Sequence, residues 1–143
     1  MHPLRFGSTV VLALLHICPV FAADPAAEVA AFTRFHREIN VRLLDSRERH
    51  KAMHAALASA SYEATMNLIK IEEAKDKEAV RVVAATAVPA ELKEYAGDIE
   101  RARLQAVGAL EARAERNERV AAIREKSYAV MVEGILAQLK GRR

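Results

Sequence analysis

Two histidines one helical turn apart are the residues in this sequence with the clearest capacity for chemistry. They are His50 and His54, in the run His50-Lys51-Ala52-Met53-His54. Residues four apart lie on the same face of a helix, so both imidazoles can reach one cation. Imidazole nitrogen suits copper, nickel and zinc. The pair is therefore a candidate site for a divalent transition metal.

Two ligands do not complete a metal site, so further donors would have to come from another helix. Glu118, Glu125 and Met131 are the nearest plausible donors, and only the fold decides whether any of them reaches the pair. The alternative is a structural role, with His50 on the seam between helices and His54 on its flank.

The remaining residues do not form a recognisable catalytic motif. Lys51 follows His50 where the zinc-protease motif carries glutamate, which disfavours metal-assisted hydrolysis. No serine stands in a nucleophile elbow or a glycine-rich loop. Neighbouring carboxylates such as Glu72 and Glu73 occur in strongly charged stretches, a poor setting for general acid–base catalysis. We therefore expect a protein that is not an enzyme and carries no cofactor, unless the histidine pair binds a transition metal.

The first 22 residues have the features of a cleaved secretory signal peptide. Arg5 gives the amino-terminal end one positive charge, and no charged residue occurs in the apolar stretch 6–21. Small residues at its end favour cleavage after Ala22 or Ala23. A retained membrane anchor is the weaker alternative, because the stretch is shorter than a spanning helix and is interrupted by Pro19. We therefore expect a periplasmic protein.

Removal of this leader would also remove much of the reactive chemistry of the chain. Cys18, the single cysteine, and two of the five histidines lie within it. The mature domain, residues 23–143, would then form no disulfide and offer no thiolate. Its basic and acidic residues nearly balance and are interspersed, a pattern that does not favour nucleic-acid binding. Its length suits a single domain.

The first part of the mature domain predicts one long amphipathic helix over residues 25–57. Asp24 and Pro25 suit the cap and the first position of a helix. Residues that recur in steps of three and four then form a single stripe along one face of this helix. Its members are Phe32, Phe35, Ile39, Leu43, Ser46, His50, Met53 and Leu57. A turn is expected at residues 59–61.

A second helix is expected over residues 62–86, between that turn and Pro89. The run 72–78 is almost entirely charged, and we expect it to be solvated. The buried stripe of this helix is predicted to contain Ala64, Leu68 and Ile71.

Residues 90–139 are too many for one packed helix, which would extend about 75 Å. We expect a break near Gly97 or Gly108, with Asn117 as a weaker candidate. The charged run 111–119 is expected to project beyond the core or to lie on an edge of the bundle. The chain is expected to pack again through Val120, Ile123, Val130, Met131, Ile135 and Leu139.

These elements predict an all-α protein, an antiparallel helical bundle or elongated hairpin of three to four helices. Seams with charged flanks and Ala-rich faces suit the binding of other helices, including coiled-coil association between copies of the chain. With an export signal, they favour a periplasmic protein that binds an envelope protein as a chaperone, adaptor or inhibitor. We expect no nucleic-acid partner, and membrane contact only through an uncleaved leader. The alternative function is metal binding or sensing through His50 and His54.

Overall fold

The computed structural model describes residues 24–142, and these residues form a bundle of four α-helices. The helices are α1 (Pro25–Leu57), α2 (Tyr62–Ala85), α3 (Ala96–Ala114) and α4 (Glu118–Gly141), and a short 3-10 helix, Ala90–Tyr95, precedes α3. Successive helices run antiparallel and contact one another, and α4 closes the bundle against α1. The predicted all-α antiparallel bundle is confirmed. The predicted signal peptide, with Cys18, lies outside the described residues.

The ends of the first two helices follow from local capping chemistry. The Asp24 carboxylate accepts a hydrogen bond from the Ala26 N–H at 3.0 Å, and Pro25 occupies the first position of α1. The Ser61 hydroxyl oxygen accepts one from the Ala64 N–H at 3.3 Å and so begins α2. The predicted bounds of α1 and the predicted turn after it are therefore confirmed.

The apolar core fills the half of the bundle near the turn at Pro89 and the two ends of the described chain. The predicted stripe of α1 is confirmed from Phe32 to Met53, since every member is buried, while Leu57 is partly exposed. The largest apolar side chains in this core are Phe32, Phe35, Ile39, Leu43, Leu92, Tyr95, Ile99, Leu110, Tyr128, Ile135 and Leu139.

The predicted break near Gly97 is confirmed to within two residues, since the 3-10 helix ends at Tyr95 and α3 begins at Ala96, whereas a break near Gly108 is wrong, because Gly108 lies inside α3. An isolated glycine weakens a helix but does not end it. At Gly108 the absence of a side chain serves packing, since a β-carbon there would overlap the side chain of Arg124 on α4. The glycine therefore permits the close approach of α3 and α4.

The chain instead leaves α3 at the weaker candidate, next to Asn117, through a hydrogen-bonded turn. The Arg116 N–H donates to the Arg113 carbonyl at 2.7 Å, and the Asn117 N–H donates to the Ala112 carbonyl. These two bonds are those of a Schellman motif, whose left-handed position usually carries glycine. Here Arg116 occupies it with a φ of 61°. The Asn117 side chain then accepts from the Val120 N–H at 3.4 Å and begins α4.

We expect Arg116→Gly to raise the free energy of unfolding by about 1 kcal/mol, because a β-carbon is unfavourable in the left-handed conformation. Urea unfolding followed by circular dichroism measures the change. Arg116→Ala is the matched control: it also loses the ion pair with Glu73, at 2.8 Å, but keeps the β-carbon. Equal stability of the glycine and alanine variants would contradict this explanation.

Two charged runs that we expected to be solvated contribute to the interior instead. Glu72 and Asp76 of α2 are 6% and 0% exposed, and Arg113 of α3 is 2% exposed. The predicted stripe of α2 is correspondingly wrong, since Ile71 is 51% exposed. The helix buries Ile69, Glu72, Asp76, Ala79 and Val83, which keep the helical spacing only if the two carboxylates count as interior residues.

The predicted stripe of α4 is correct at its end and wrong at its start. Ile135 and Leu139 are buried, whereas Ile123 and Val130 are more than half exposed. Tyr128 and Val132 occupy the interior face instead. Ile123 and Val130 therefore lie nearly opposite the buried face of α4.

Candidate binding groove

One half of the bundle interior is apolar, and the half beside the α1–α2 and α3–α4 loops is charged. In the charged half, side chains from all four helices form a continuous series of polar and ionic contacts. In order along the series they are Glu72, Arg49, Asp76, His50, Glu118, Arg113, Glu125 and Arg47. Buried charges are costly unless they are paired, so pairing rather than apolar packing fixes the helices here.

Arg49 is the centre of the contacts between α1 and α2. It donates hydrogen bonds to Asp45 and Asp76, both at 2.8 Å, and to Glu72. Burial by itself would lower the pKa of Arg49, but these hydrogen bonds raise it. Burial would likewise raise the pKa of Glu72, but hydrogen bonds from Arg49 and Lys75 hold it below its ordinary value. Both groups are therefore ionised in the folded protein at neutral pH.

His50 connects Asp76, a hydrogen-bonding partner of Arg49, to Glu118 on the other side of the bundle. Its Nδ1 atom lies 3.1 Å from the Ser46 carbonyl oxygen and 3.4 Å from Asp76 Oδ2. Its Nε2 atom lies 3.5 Å from Glu118 Oε1 on α4. Both ring nitrogens of this buried histidine therefore face oxygen acceptors, and its ring bridges α1, α2 and α4.

Arg113 holds the contacts between α3, α4 and α1. A terminal nitrogen of its guanidinium lies 2.8 Å from Glu125, and its Nε atom lies 3.6 Å from Glu118. The other terminal nitrogen donates to the Leu43 carbonyl at 3.4 Å. Arg47 approaches the same Glu125 carboxylate from the outside, at 3.8 Å. The buried Arg113 guanidinium is thus the interior counter-charge for two carboxylates of α4, those of Glu118 and Glu125.

The structure places the predicted histidine pair on the wall of one cavity between α1 and α4. His50 is buried and His54 is exposed, as the structural alternative expects. Glu118 and Glu125, two of the three further donors considered for a metal, line the same cavity. The third, Met131, lies elsewhere, beside Asp98 and Arg101 in a separate depression, and is not brought to the pair.

The surroundings of this cavity do not favour a cation. Within residues 24–142, no group of three or more His, Cys, Asp or Glu side chains is arranged to hold a metal ion. The guanidinium of Arg113 lies against both carboxylates that would have to serve as ligands, and its charge would repel a metal. We therefore assign no metal to His50 and His54, and metal binding by the pair stays a prediction.

The α1–α4 groove consists of two cavities that meet at Arg47, Glu125 and Ala129. The cavity named apolar here for its side chains Leu43, Leu44, Tyr128, Val132 and Leu136 has a volume of about 380 Å³, and its lining also includes His36, Asn40, Arg47, Glu125 and Glu133. The polar cavity has a volume of about 630 Å³, and its charged and histidine side chains are Arg47, His50, Lys51, His54, Arg113, Glu118, Glu125 and Lys126. From His36 to His54 the groove follows α1 for five turns, about 27 Å.

A neutral histidine marks the apolar end of the groove. His36 Nδ1 and the Tyr128 hydroxyl oxygen share a hydrogen bond of 2.8 Å, and the two rings stack with centroids 5.7 Å apart. Burial lowers the pKa of His36 and raises that of Tyr128, which keeps both groups uncharged at neutral pH. The contact ties α1 to α4 on the floor of the groove.

This contact predicts that stability falls as the pH drops below about 6.5, the ordinary pKa of histidine. In that range the unfolded chain binds a proton at His36 that the folded protein does not, so unfolding becomes more favourable until the lowered folded pKa is passed. Urea unfolding at pH 7.5 and 5.5 measures the difference. His36→Gln should reduce it, whereas His54→Gln, at an exposed position, should not. An unchanged difference in His36→Gln would refute the prediction.

The sequence places His50 on the seam of α1 but does not distinguish the arginines of the charged half of the interior. Arg47, Arg49 and Arg113 are isolated arginines in charged runs, and such arginines have the same pattern whether they are solvated or paired inside a bundle. The available signal was periodicity, since Glu72 and Asp76 keep helical spacing with Ile69 and Ala79.

No protein-family model, curated protein or solved structure matches this chain. Among residues 24–142, no helix is both long and apolar enough to cross a membrane.

Proposed function

We propose that this protein is an exported domain of the bacterial envelope that binds a helical segment of another envelope protein in the α1–α4 groove. Its role is that of a chaperone, adaptor or inhibitor, in which binding itself is the activity. The observation that carries the proposal is the open groove itself, an apolar floor beside a charged cavity between two long helices. Recognition of an amphipathic helix in such a groove is a recurring mode of protein binding.

The shape of the groove favours a helix over a loop or a small apolar ligand. Its length of about 27 Å matches five turns of helix, enough for contacts at positions i, i+3, i+4 and i+7. Leu44 is 40% exposed on its rim, and Ala129, a small residue at its centre, leaves room for a second backbone. Export is supported by the apolar leader with its small-residue end.

Photo-crosslinking in living cells tests this proposal. The full chain would be expressed with a photoreactive phenylalanine analogue at Ala129 in the groove or, as a control, at Ala84, an exposed position on α2. We expect irradiated periplasmic fractions to contain a specific crosslinked protein from position 129 only. Ala129→Arg should prevent capture from a second groove position, Leu44, because its side chain would fill the groove.

Each outcome of this experiment has a defined meaning. A crosslinked species of twice the protein's own mass would identify a second copy as the occupant instead. Equal crosslinking from positions 129 and 84, or none from position 129, would refute the groove as the binding surface. Absence of the protein from the periplasmic fraction would refute export, and the mass of the recovered chain gives the cleavage position.

A further inference from the structure

We propose that the polar cavity of the α1–α4 groove is a carboxylate-binding site. Its ligand class is a carboxylate that carries a neighbouring N–H or O–H donor. An acidic residue of a bound protein has this chemistry, and so does a free acylated amino acid. The proposal does not need the apolar cavity or a helical partner, because it rests on the charges and hydrogen-bonding groups of the polar cavity alone.

The polar cavity has an excess of positive charge. Four cationic side chains line it, Arg47, Lys51, Arg113 and Lys126, against the two carboxylates of Glu118 and Glu125. Both carboxylates already lie against the Arg113 guanidinium. Lys126 is exposed and forms no ion pair with any other side chain in the described part of the chain. Lys51 pairs at 2.8 Å with Glu48, which does not line the cavity, so Lys126 is the cation that an entering anion would meet without an ion-pair partner among the described residues.

Two of these cations also have hydrogen-bond donors without acceptors. The Nε–H groups of Arg47 and Arg113 are buried and have no hydrogen-bond partner among residues 24–142. Arg113 is only 2% exposed, so bulk water does not replace the missing acceptor. The Arg47 side chain is 43% exposed and can turn its guanidinium toward a ligand. A carboxylate is the acceptor that pairs best with guanidinium donors.

One acceptor of the same cavity narrows the ligand class. Glu118 Oε1 is buried, and the His50 Nε2 atom lies 3.5 Å away without forming a hydrogen bond to it. Glu125 Oε1, by contrast, lies 2.8 Å from a terminal nitrogen of Arg113. A simple inorganic anion would leave Glu118 Oε1 unsatisfied. A carboxylate attached to an amide N–H, as in any peptide, offers an acceptor to the arginines and a donor to this oxygen.

Titration of the protein with N-acetylglutamate, followed by nuclear magnetic resonance of the arginine Nε–H groups, tests this proposal. We expect saturable shifts at Arg47 and Arg113, and none with the uncharged N-acetylglutamine amide. The double variant Lys51→Gln/Lys126→Gln should bind about fivefold more weakly, since it removes two charges at the mouth of the cavity. Lys70→Gln/Lys77→Gln, with the same change in net charge at exposed positions of α2, should bind as the wild type does.

A second arm identifies the source of the carboxylate. A short peptide with two leucines one turn before the glutamate should bind about tenfold more tightly than N-acetylglutamate if the natural ligand is protein-borne, because it also covers the apolar cavity. Equal affinities of the peptide and of N-acetylglutamate would indicate that the natural ligand is a free acid. They would count against the binding of a helix in the groove, but they would not contradict the carboxylate site. Shifts that do not saturate, or equal loss of binding in both double variants, would overturn the carboxylate site.

Discussion

Replacement of Arg113 by methionine is expected to lower the free energy of unfolding by about 3–5 kcal/mol, a large part of the stability of a small domain. The arginine is 2% exposed and contacts Glu118, Glu125 and the Leu43 carbonyl oxygen. Methionine preserves much of the side-chain volume but leaves both carboxylates without their interior counter-charge. Urea unfolding at neutral pH measures the loss.

Two further variants separate the role of charge from that of packing. Arg101→Met removes an arginine whose side chain is 68% exposed and pairs with Asp98 on the same helix, and it should cost less than about 0.5 kcal/mol. Adding Glu125→Gln to Arg113→Met should recover part of the stability, because it removes one uncompensated buried charge. If Arg113→Met costs no more than Arg101→Met, the buried ion pair does not hold α3, α4 and α1 together.

Replacement of Arg49 by methionine is expected to cost about 3 kcal/mol on the opposite side of the bundle. Arg49 is the hydrogen-bonding partner of Glu72 and of the fully buried Asp76, which joins α1 to α2. In the variant, Glu72 keeps Lys75 at 3.0 Å, but this lysine is half exposed and replaces little of the lost interaction. Asp76 keeps only the His50 ring.

The cost of Arg49→Met should also depend on pH, and this dependence distinguishes charge pairing from lost packing. The pKa of Glu72 in the folded protein lies below its ordinary value of 4.5. Its stabilising contribution is therefore complete above pH 4.5 and is lost as the pH falls through the folded pKa. The variant lacks this contribution, so its stability should approach that of the wild type on acidification from pH 7 to pH 3.

Guanidinium chloride would screen these charges, so urea is the appropriate denaturant for the comparison. The Arg101→Met variant is again the control, since an exposed pair should show little change in its cost over the same range. If the free energies of unfolding of Arg49→Met and of the wild type differ by the same amount at pH 7 and at pH 3, the lost contacts of the arginine stem, rather than its charge, cause the destabilisation.

The division of the interior into an apolar half and a charged half has a consequence for binding. Ion pairs hold helices in one register but add less net stability than apolar packing of the same volume. The charged half includes the polar cavity, whose arginines face α1 and α4. Arg113→Met tests what the buried ion pairs contribute to stability, and Lys51→Gln/Lys126→Gln tests separately whether the polar cavity binds a carboxylate.

The helical type of the elements, and a bundle of three to four of them, could be predicted because they follow from local chemistry. Asp24 and Pro25 begin α1, Pro89 separates α2 from the 3-10 helix, and the α1 stripe runs in helical steps. Each of these signals involves residues within one or two helical turns of one another. The exit from α3 was harder to locate, because Arg116 takes the left-handed position in which glycine is the recognisable signal.

The location of the charged side chains was decided only by the tertiary structure. In sequence, Glu72, Asp76 and Arg113 have the composition of a solvated surface, and they would be solvated on an isolated helix. They are buried because their counter-charges arrive from other helices, Arg49 on α1 for the acids of α2 and Glu125 on α4 for Arg113. The sequence by itself thus determined a helical bundle and the seam of α1, with His50 on that seam. Which charges enter the interior, and the groove that they line, depend on distant pairings that no local pattern contains.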